Sequence, residues 1–160
     1  MLKEVSGDIL LSEADAIAHG IAPGDHFNQG LALSLRERYP AMAKDFRHYC
    51  QISHPKPGDI WTWASADGRR IVNLLTQEEA PSKNAKPGKA STHNVNVALR
   101  HLKQLCRDEG WKSLALPRLA TGVGGLDWTE VRELIGNQLG DLDIPVYLYT
   151  NYQAGVKAEE

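Results

Sequence analysis

The 160-residue chain reads as an α/β protein built on a mixed, largely parallel sheet with helices on both faces. Two observations predict this class. Strand-like and helix-like runs alternate through the second half, and a glycine-rich segment late in the chain joins a strand to a helix. The length suits one domain with its own core, expected over residues 1–152, with 153–160 as a mobile tail.

Leu2 to Val5 and Ala16 to His19 are short apolar or alternating runs that predict strands, separated by Gly7-Asp8-Ile9-Leu10 and a polar Ser12-Glu13 step. After a loop holding glycine and proline, Leu31, Leu35 and Tyr39 recur at helical spacing, and Pro40 stops that helix. Met42, Phe46, Tyr49 and Cys50 share one face of a second helix, which Pro55 and Pro57 end. Ile60 to Trp63 and Arg70 to Thr76 predict a strand pair around the turn Ala66-Asp67-Gly68. The stretch from Gln77 to Ala90 is polar and carries Pro81, Pro87, Gly88 and the lysines 83, 86 and 89. It is too long for a tight turn, and long ordered loops in small domains are often functional. Val95, Leu99, Leu102, Leu105 and Cys106 mark the longest helix, capped by Ser91 or Thr92 and closed by Gly110. A strand from Leu114 to Arg118, the glycine loop, a helix from Val131 to Leu139 and a strand from Ile144 to Tyr149 complete the order. In such sheets ligands sit outside the carboxyl ends of the strands.

The net charge of −2 and isoelectric point near 6.3 argue against a dedicated binder of unmodified nucleic acid, which usually shows a strongly basic face. Cys50 and Cys106 fall on apolar helix faces and read as buried free thiols of a reducing compartment. The six histidines show no metal-ligand spacing, so no metal or other cofactor is expected. No signal peptide or apolar run of about 18 residues is present, which predicts a cytoplasmic, membrane-free protein. A monomer is expected.

The segment Leu119-Ala120-Thr121-Gly122-Val123-Gly124-Gly125-Leu126, leading into Asp127 and Trp128, has an anion-binding layout. Glycines let backbone N–H groups approach a ligand, and the helix start behind them adds free donors with a partial positive charge. Its glycine spacing fits neither the dinucleotide fingerprint nor the P-loop, and it follows the penultimate strand rather than the first.

Four segments together resemble the macrodomain family: Gly7-Asp8-Ile9-Leu10, Gly30-Leu31-Ala32, the strand Ile71 to Thr76, and Leu116-Pro117-Arg118 running through the glycine loop to Trp128. The last is similar to the branch holding the terminal ADP-ribose protein glycohydrolase and the antitoxin that strips ADP-ribose from DNA. The resemblance implies a three-layer α/β/α sandwich that binds ADP-ribose. Under it, Asp8 would accept the exocyclic amino group of adenine and Ile9 would approach the same base. Gly30, Leu31 and Ala32 would offer backbone donors to the pyrophosphate, with Gly20 nearby. Leu119, Thr121, Gly122, Val123, Gly124, Gly125 and Leu126 would wrap the other side. Asp127, three residues before Glu130, reads as a helix cap rather than an acid, and Trp128 as a packing residue.

The family's chemistry is incomplete here. The resembling glycohydrolases use a lysine just after the strand equivalent to Ile71–Thr76; this chain has Gln77, which cannot form that covalent intermediate. The acid of the protein glycohydrolase's glycine loop is matched by Gly124. Another branch has a distal-ribose asparagine near the end of the second strand, where this chain reads Ala18-His19-Gly20-Ile21. The loop Asp25-His26-Phe27-Asn28-Gln29 does hold groups able to handle water. His26 is the candidate acid–base residue, with Asn28 and Asp25 orienting it, and Phe27 either shields the distal ribose or packs. Lys83, Lys86 and Lys89 are the alternative source of an amine. The expectation is an ADP-ribose-binding protein that removes ADP-ribose from modified protein or nucleic acid, or phosphate from ADP-ribose 1''-phosphate. The competing reading is a module that binds ADP-ribose without turning it over.

Overall fold

Strand β2 (Ala16–Ile21) lies inside a six-stranded sheet with both faces covered, which is why its sequence is apolar apart from His19 instead of alternating. The computed structural model describes all 160 residues. With β1 (Leu2–Gly7), β3 (Ile60–Ala64), β4 (Arg70–Leu75), β5 (Leu114–Pro117) and β6 (Val146–Tyr152), the order across the sheet is β1-β6-β5-β2-β4-β3. Every neighbouring pair is parallel except β3 with β4, which is antiparallel. The expected strands are all present, and several run one to three residues past the sequence boundary.

Period-two alternation divides the core between the two faces. Ile17, Ile21, Ile71 and Leu75 point to one side, where they meet Phe27, Leu35, Met42 and Phe46 from the segment containing α1 (Gly30–Arg38) and α2 (Pro40–Ser53). Ala16, Ala18, Val72, Leu74, Leu114 and Leu116 point to the other, under Leu99 and Leu102 of α3 (Thr92–Glu109) and Val131 and Ile135 of α4 (Trp128–Leu139). The result is the expected three-layer α/β/α sandwich.

Local chemistry sets the helix ends. Pro40 both stops α1 and occupies the first turn of α2, where its missing N–H costs nothing. Ser91 caps α3 by accepting from the Asn94 N–H at 3.1 Å, and Gly110 closes it at φ 66°. Helix α4 starts at Trp128, earlier than the apolar spacing predicts, with Asp127 in the capping position. The Asp127 carboxylate takes no hydrogen bond from the helix, so the expected capping pair with Glu130 is not made, and both side chains are exposed. Cys106 is buried as expected, whereas Cys50 is half-buried and its Sγ accepts from the Gly24 N–H at 3.4 Å. No helix is long and apolar enough to cross a membrane.

Residues 153–160, expected to be mobile, pack back on the start of the chain. Asp8 N–H donates to Val156 O at 2.7 Å, and Gln153 N–H donates to Gly7 O at 3.1 Å. The Glu160 carboxylate accepts from Ser12 Oγ (2.5 Å), Tyr149 OH (2.6 Å) and Glu13 N–H (3.0 Å). A Cβ on Gly7 would lie 2.8 Å from Val156 O, so the close approach requires glycine there. The segment's polar composition hid this because only Ala158 is buried; backbone and carboxylate hydrogen bonds hold the rest.

Replacing the α3 cap, Ser91→Ala, should destabilise the protein by about 1 kcal/mol. A lower urea midpoint at unchanged slope would show it, and an unchanged midpoint would remove the cap assignment.

Candidate functional site

The carboxyl ends of β2, β4 and β5 open onto a cleft of about 870 Å³, and those of β1 and β6 onto an adjoining pocket of about 420 Å³. Gly30, Leu31, Pro117 and Arg118 border both, so the two form one groove. The backbone of its walls is chemically uniform. At the start of α1 the N–H groups of Gly30, Leu31 and Ala32 have no partner in the protein, and Gln29 supplies no side-chain cap. In the facing wall the N–H groups of Gly122, Val123 and Gly124 are also unpaired. Two sets of free amides across a cleft form a site for a polyanion.

The glycine loop owes its shape to internal bonds. Gly125 N–H donates to Gly122 O and Leu126 N–H to Ala120 O, both at 3.0 Å, while Thr121 Oγ1 donates to Arg118 O at 3.1 Å. Thr121, Gly125 and Leu126 therefore hold the loop from behind and do not line the cleft, while Leu119, Gly122, Val123 and Gly124 do. A Cβ on Gly124 would fall 2.6 Å from Ala120 O. No acid can occupy that position on this backbone. Gly124 O also accepts from Ala90 N–H at 3.0 Å, which ties the glycine loop to the end of the lysine-bearing loop.

On the other wall, Asp25 Oδ1 accepts from the Phe27 N–H at 2.7 Å. This turn sets Phe27 at φ 56° and sends its ring inward, fully buried, 5.3 Å from the ring of Phe46 and 6.2 Å from His19. Phe27 is thus a packing anchor, and Asp25 organises the loop. His26 and Asn28, on either side of the anchor, are exposed along the cleft. Arg36 donates to Asn28 Oδ1 at 2.7 Å and to His26 O at 3.1 Å, which leaves the Asn28 amide group and the His26 ring free of protein partners.

Below them lies a residue that sequence reasoning passed over. His19 is 2% exposed, borders the cleft, and places Nε2 2.6 Å from Oδ1 of its register partner Asn73. Burial pushes the His19 imidazole down to about 4, against the opposing effects of the Asn73 hydrogen bond and the Asp25 charge. The available signal was a lone histidine inside the otherwise apolar Ala16–Ile21 strand.

Gln77 is buried beside the cleft; its Nε2 donates to Gly88 O at 3.1 Å and its Oε1 has no protein partner. Lys83 and Lys86 border the cleft, Lys89 does not, and all three are exposed. Asp8 sits in the adjoining pocket with Ile9. Its Oδ1 accepts from Leu10 N–H and its Oδ2 from Gly155 N–H, both at 3.0 Å, so each oxygen keeps a second lone pair. Arg118, also missed from sequence, stands where the two cavities meet, its guanidinium 5.6 Å from the centre of the Trp128 ring. Gly20 is on the cleft floor, and a Cβ there would lie 2.7 Å from Thr76 Oγ1.

Fold and groove define a three-layer α/β/α domain with an anion site across its strand ends. Residues 27–135 match the Macro domain model, and the chain belongs to that family. It is 28% identical over 155 residues to the DNA ADP-ribosyl glycohydrolase of Mycobacterium tuberculosis, covering 92% of this chain and 42% of that protein. The chain thus spans about two fifths of the length of the curated relatives it matches first. It is 24% identical over 147 residues to human ADP-ribose glycohydrolase OARD1, covering 91% of this chain and 89% of that protein. The structure of Thermosipho africanus DarTG in complex with ADP-ribose superposes with a TM-score of 0.80 at 22% identity, over 98% of this chain and 42% of that one.

His19 also predicts a pH dependence. An unfolded histidine takes a proton near 6.5 and the folded one only near 4, so between those values the unfolded state binds more protons. Stability from this group is complete above pH 6.5 and falls by up to about 3 kcal/mol as pH drops to 4. Urea unfolding at pH 7 and pH 5 should show the loss, with a smaller change in His19→Gln. Equal slopes in both proteins would sink the assignment.

Proposed function

We propose that this protein binds ADP-ribose along the groove and hydrolyses it from a modified protein or nucleic acid, using water in place of a lysine nucleophile. The observation that carries the reading is the pair of amide walls, Gly30 to Ala32 against Gly122 to Gly124, with Arg118 between the two cavities. Backbone donors and a guanidinium on a bridging position suit a pyrophosphate. The Asp8 pocket then takes adenine, a spare lone pair of the carboxylate accepting from the exocyclic amino group beside Ile9. The names of the mycobacterial and human relatives, and the ADP-ribose complex of the Thermosipho protein, support the same ligand.

In the larger cleft the distal ribose lies toward His26 and Asn28. A water oxygen bonds to the anomeric carbon as the bond from that carbon to the modified group breaks. The electron pair leaves with the departing atom, which takes up a proton from solvent, while His26 accepts the proton lost by the attacking water and returns it to solvent. The Asn28 amide group orients the water or a sugar hydroxyl. The exposed positions of Lys83, Lys86 and Lys89 favour this route over an amine nucleophile, which needs a desolvated pocket. The same positioning would serve release of phosphate from ADP-ribose 1''-phosphate. Gln77, held by Gly88 where the resembling glycohydrolases have lysine, favours the second reading, a binding module without turnover.

Asp8→Asn keeps an acceptor for Leu10 or Gly155 and should fold, yet bind ADP-ribose about tenfold more weakly by calorimetry, a difference of ~1.4 kcal/mol. Unchanged affinity removes the adenine assignment. His26→Ala should retain ADP-ribose affinity while releasing ADP-ribose from modified protein or DNA at least about a hundredfold more slowly. Persistent turnover would return the chemistry to the lysine loop, and no turnover in the unaltered protein, with binding intact, would establish the module.

A further inference from the structure

The hydrogen-bond network fixes which nitrogen of His19 carries its proton. Asn73 Nδ2 donates to Trp61 O at 3.3 Å, with Met42 Sδ as a second contact at 3.9 Å. That orientation turns the acceptor Oδ1 toward His19. At 2.6 Å from a carbonyl oxygen, Nε2 must be the protonated nitrogen. Turning the Asn73 amide over would set two carbonyl oxygens, its own and that of Trp61, against each other. The chain from Trp61 through Asn73 to His19 therefore leaves the lone pair on Nδ1.

Nδ1 has no partner in the protein, and it is not a sealed atom either: Thr76 Oγ1 is the one buried side-chain polar atom without a hydrogen bond. The small exposed part of His19 opens onto the cleft, since Phe27 and Asn73 occupy its other sides. Burial keeps the ring unprotonated at neutral pH even with the Asp25 carboxylate nearby. An unprotonated acceptor cannot hold a phosphate oxygen; it requires a donor. On a ligand seated as proposed, the donors are the sugar hydroxyls and the adenine amino group, and the pocket holding Asp8 does not include His19.

We infer that His19 is a ligand-contacting residue whose Nδ1 accepts a hydrogen bond from a hydroxyl of the ribose farther from adenine. The inference rests on the ADP-ribose reading of the groove. It gives the cleft a buried contact that separates ADP-ribose from ADP, which shares the adenine and pyrophosphate contacts but ends at the pyrophosphate. Phosphate contacts alone cannot make that distinction.

Nitrogen NMR of the unaltered protein with labelled histidine tests this without a variant. At neutral pH His19 should show a protonated Nε2 and a bare Nδ1, and saturating ADP-ribose should move the Nδ1 resonance upfield while saturating ADP leaves it in place. In parallel, His19→Ala should lose about tenfold in affinity for ADP-ribose and little for ADP. A proton on Nδ1 in the free protein, or an unmoved Nδ1 while the Gly122 and Gly124 amides shift with ADP-ribose, overturns the inference alone. If neither the glycine amides nor His19 respond to ADP-ribose, the ligand assignment falls and the inference falls with it.

Discussion

Parallel pairing of β2 with β4 and β5 is the constraint from which the rest of this structure follows. Parallel strands cannot be joined by tight turns, so each pair needs a crossover, and the crossovers lay helices over both faces. The same pairing brings the carboxyl ends of five strands to one rim, with the loops that follow them. Glycine loop, lysine-bearing loop and the Asp25–Asn28 segment become neighbours there, although they are far apart in the chain. The groove is a consequence of strand direction before it is a consequence of any particular side chain.

The polar interior beneath the groove is held at a cost that the apolar layer offsets. An imidazole and a carboxamide lie among Ile17, Met42 and Phe46, where an unpaired polar group would cost roughly 1–3 kcal/mol. Their mutual bond, and the Asn73 bond to Trp61, remove most of that penalty. Phe27 carries backbone strain of about 1–3 kcal/mol at φ 56°. Burying its ring recovers about 2–3 kcal/mol, and the Asp25 turn adds a charge-assisted hydrogen bond. The balance is close, so the loop keeps its shape only while the ring stays seated.

Elements with strong local signals were legible in the sequence. Helix α3 is one case: its apolar period, its Ser91 cap and the glycine closing it all depend on neighbours in the chain. The groove's backbone-lined walls were legible too, because glycines between a strand and a helix constrain what can surround them. The failures share a different origin. Asp127 stands at a helix start with a capping residue's identity, but side-chain orientation depends on solvent and on the approach of the preceding loop. The docking of residues 153–160 runs through a carboxylate and backbone groups, and its partners Ser12 and Gly7 lie at the far end of the chain. His19 was invisible as a cleft residue because its accessibility depends on where Phe27 and Asn73 settle. Periodicity placed it on a strand, but could not tell that its ring would border a cavity.

The bond from Ala90 to Gly124 joins the lysine-bearing loop to the glycine loop, so two sides of the cleft are braced against each other before any ligand arrives. A braced opening has little conformational entropy left to lose on binding. In this protein one backbone hydrogen bond fixes the spacing of two loops at the rim of the cleft.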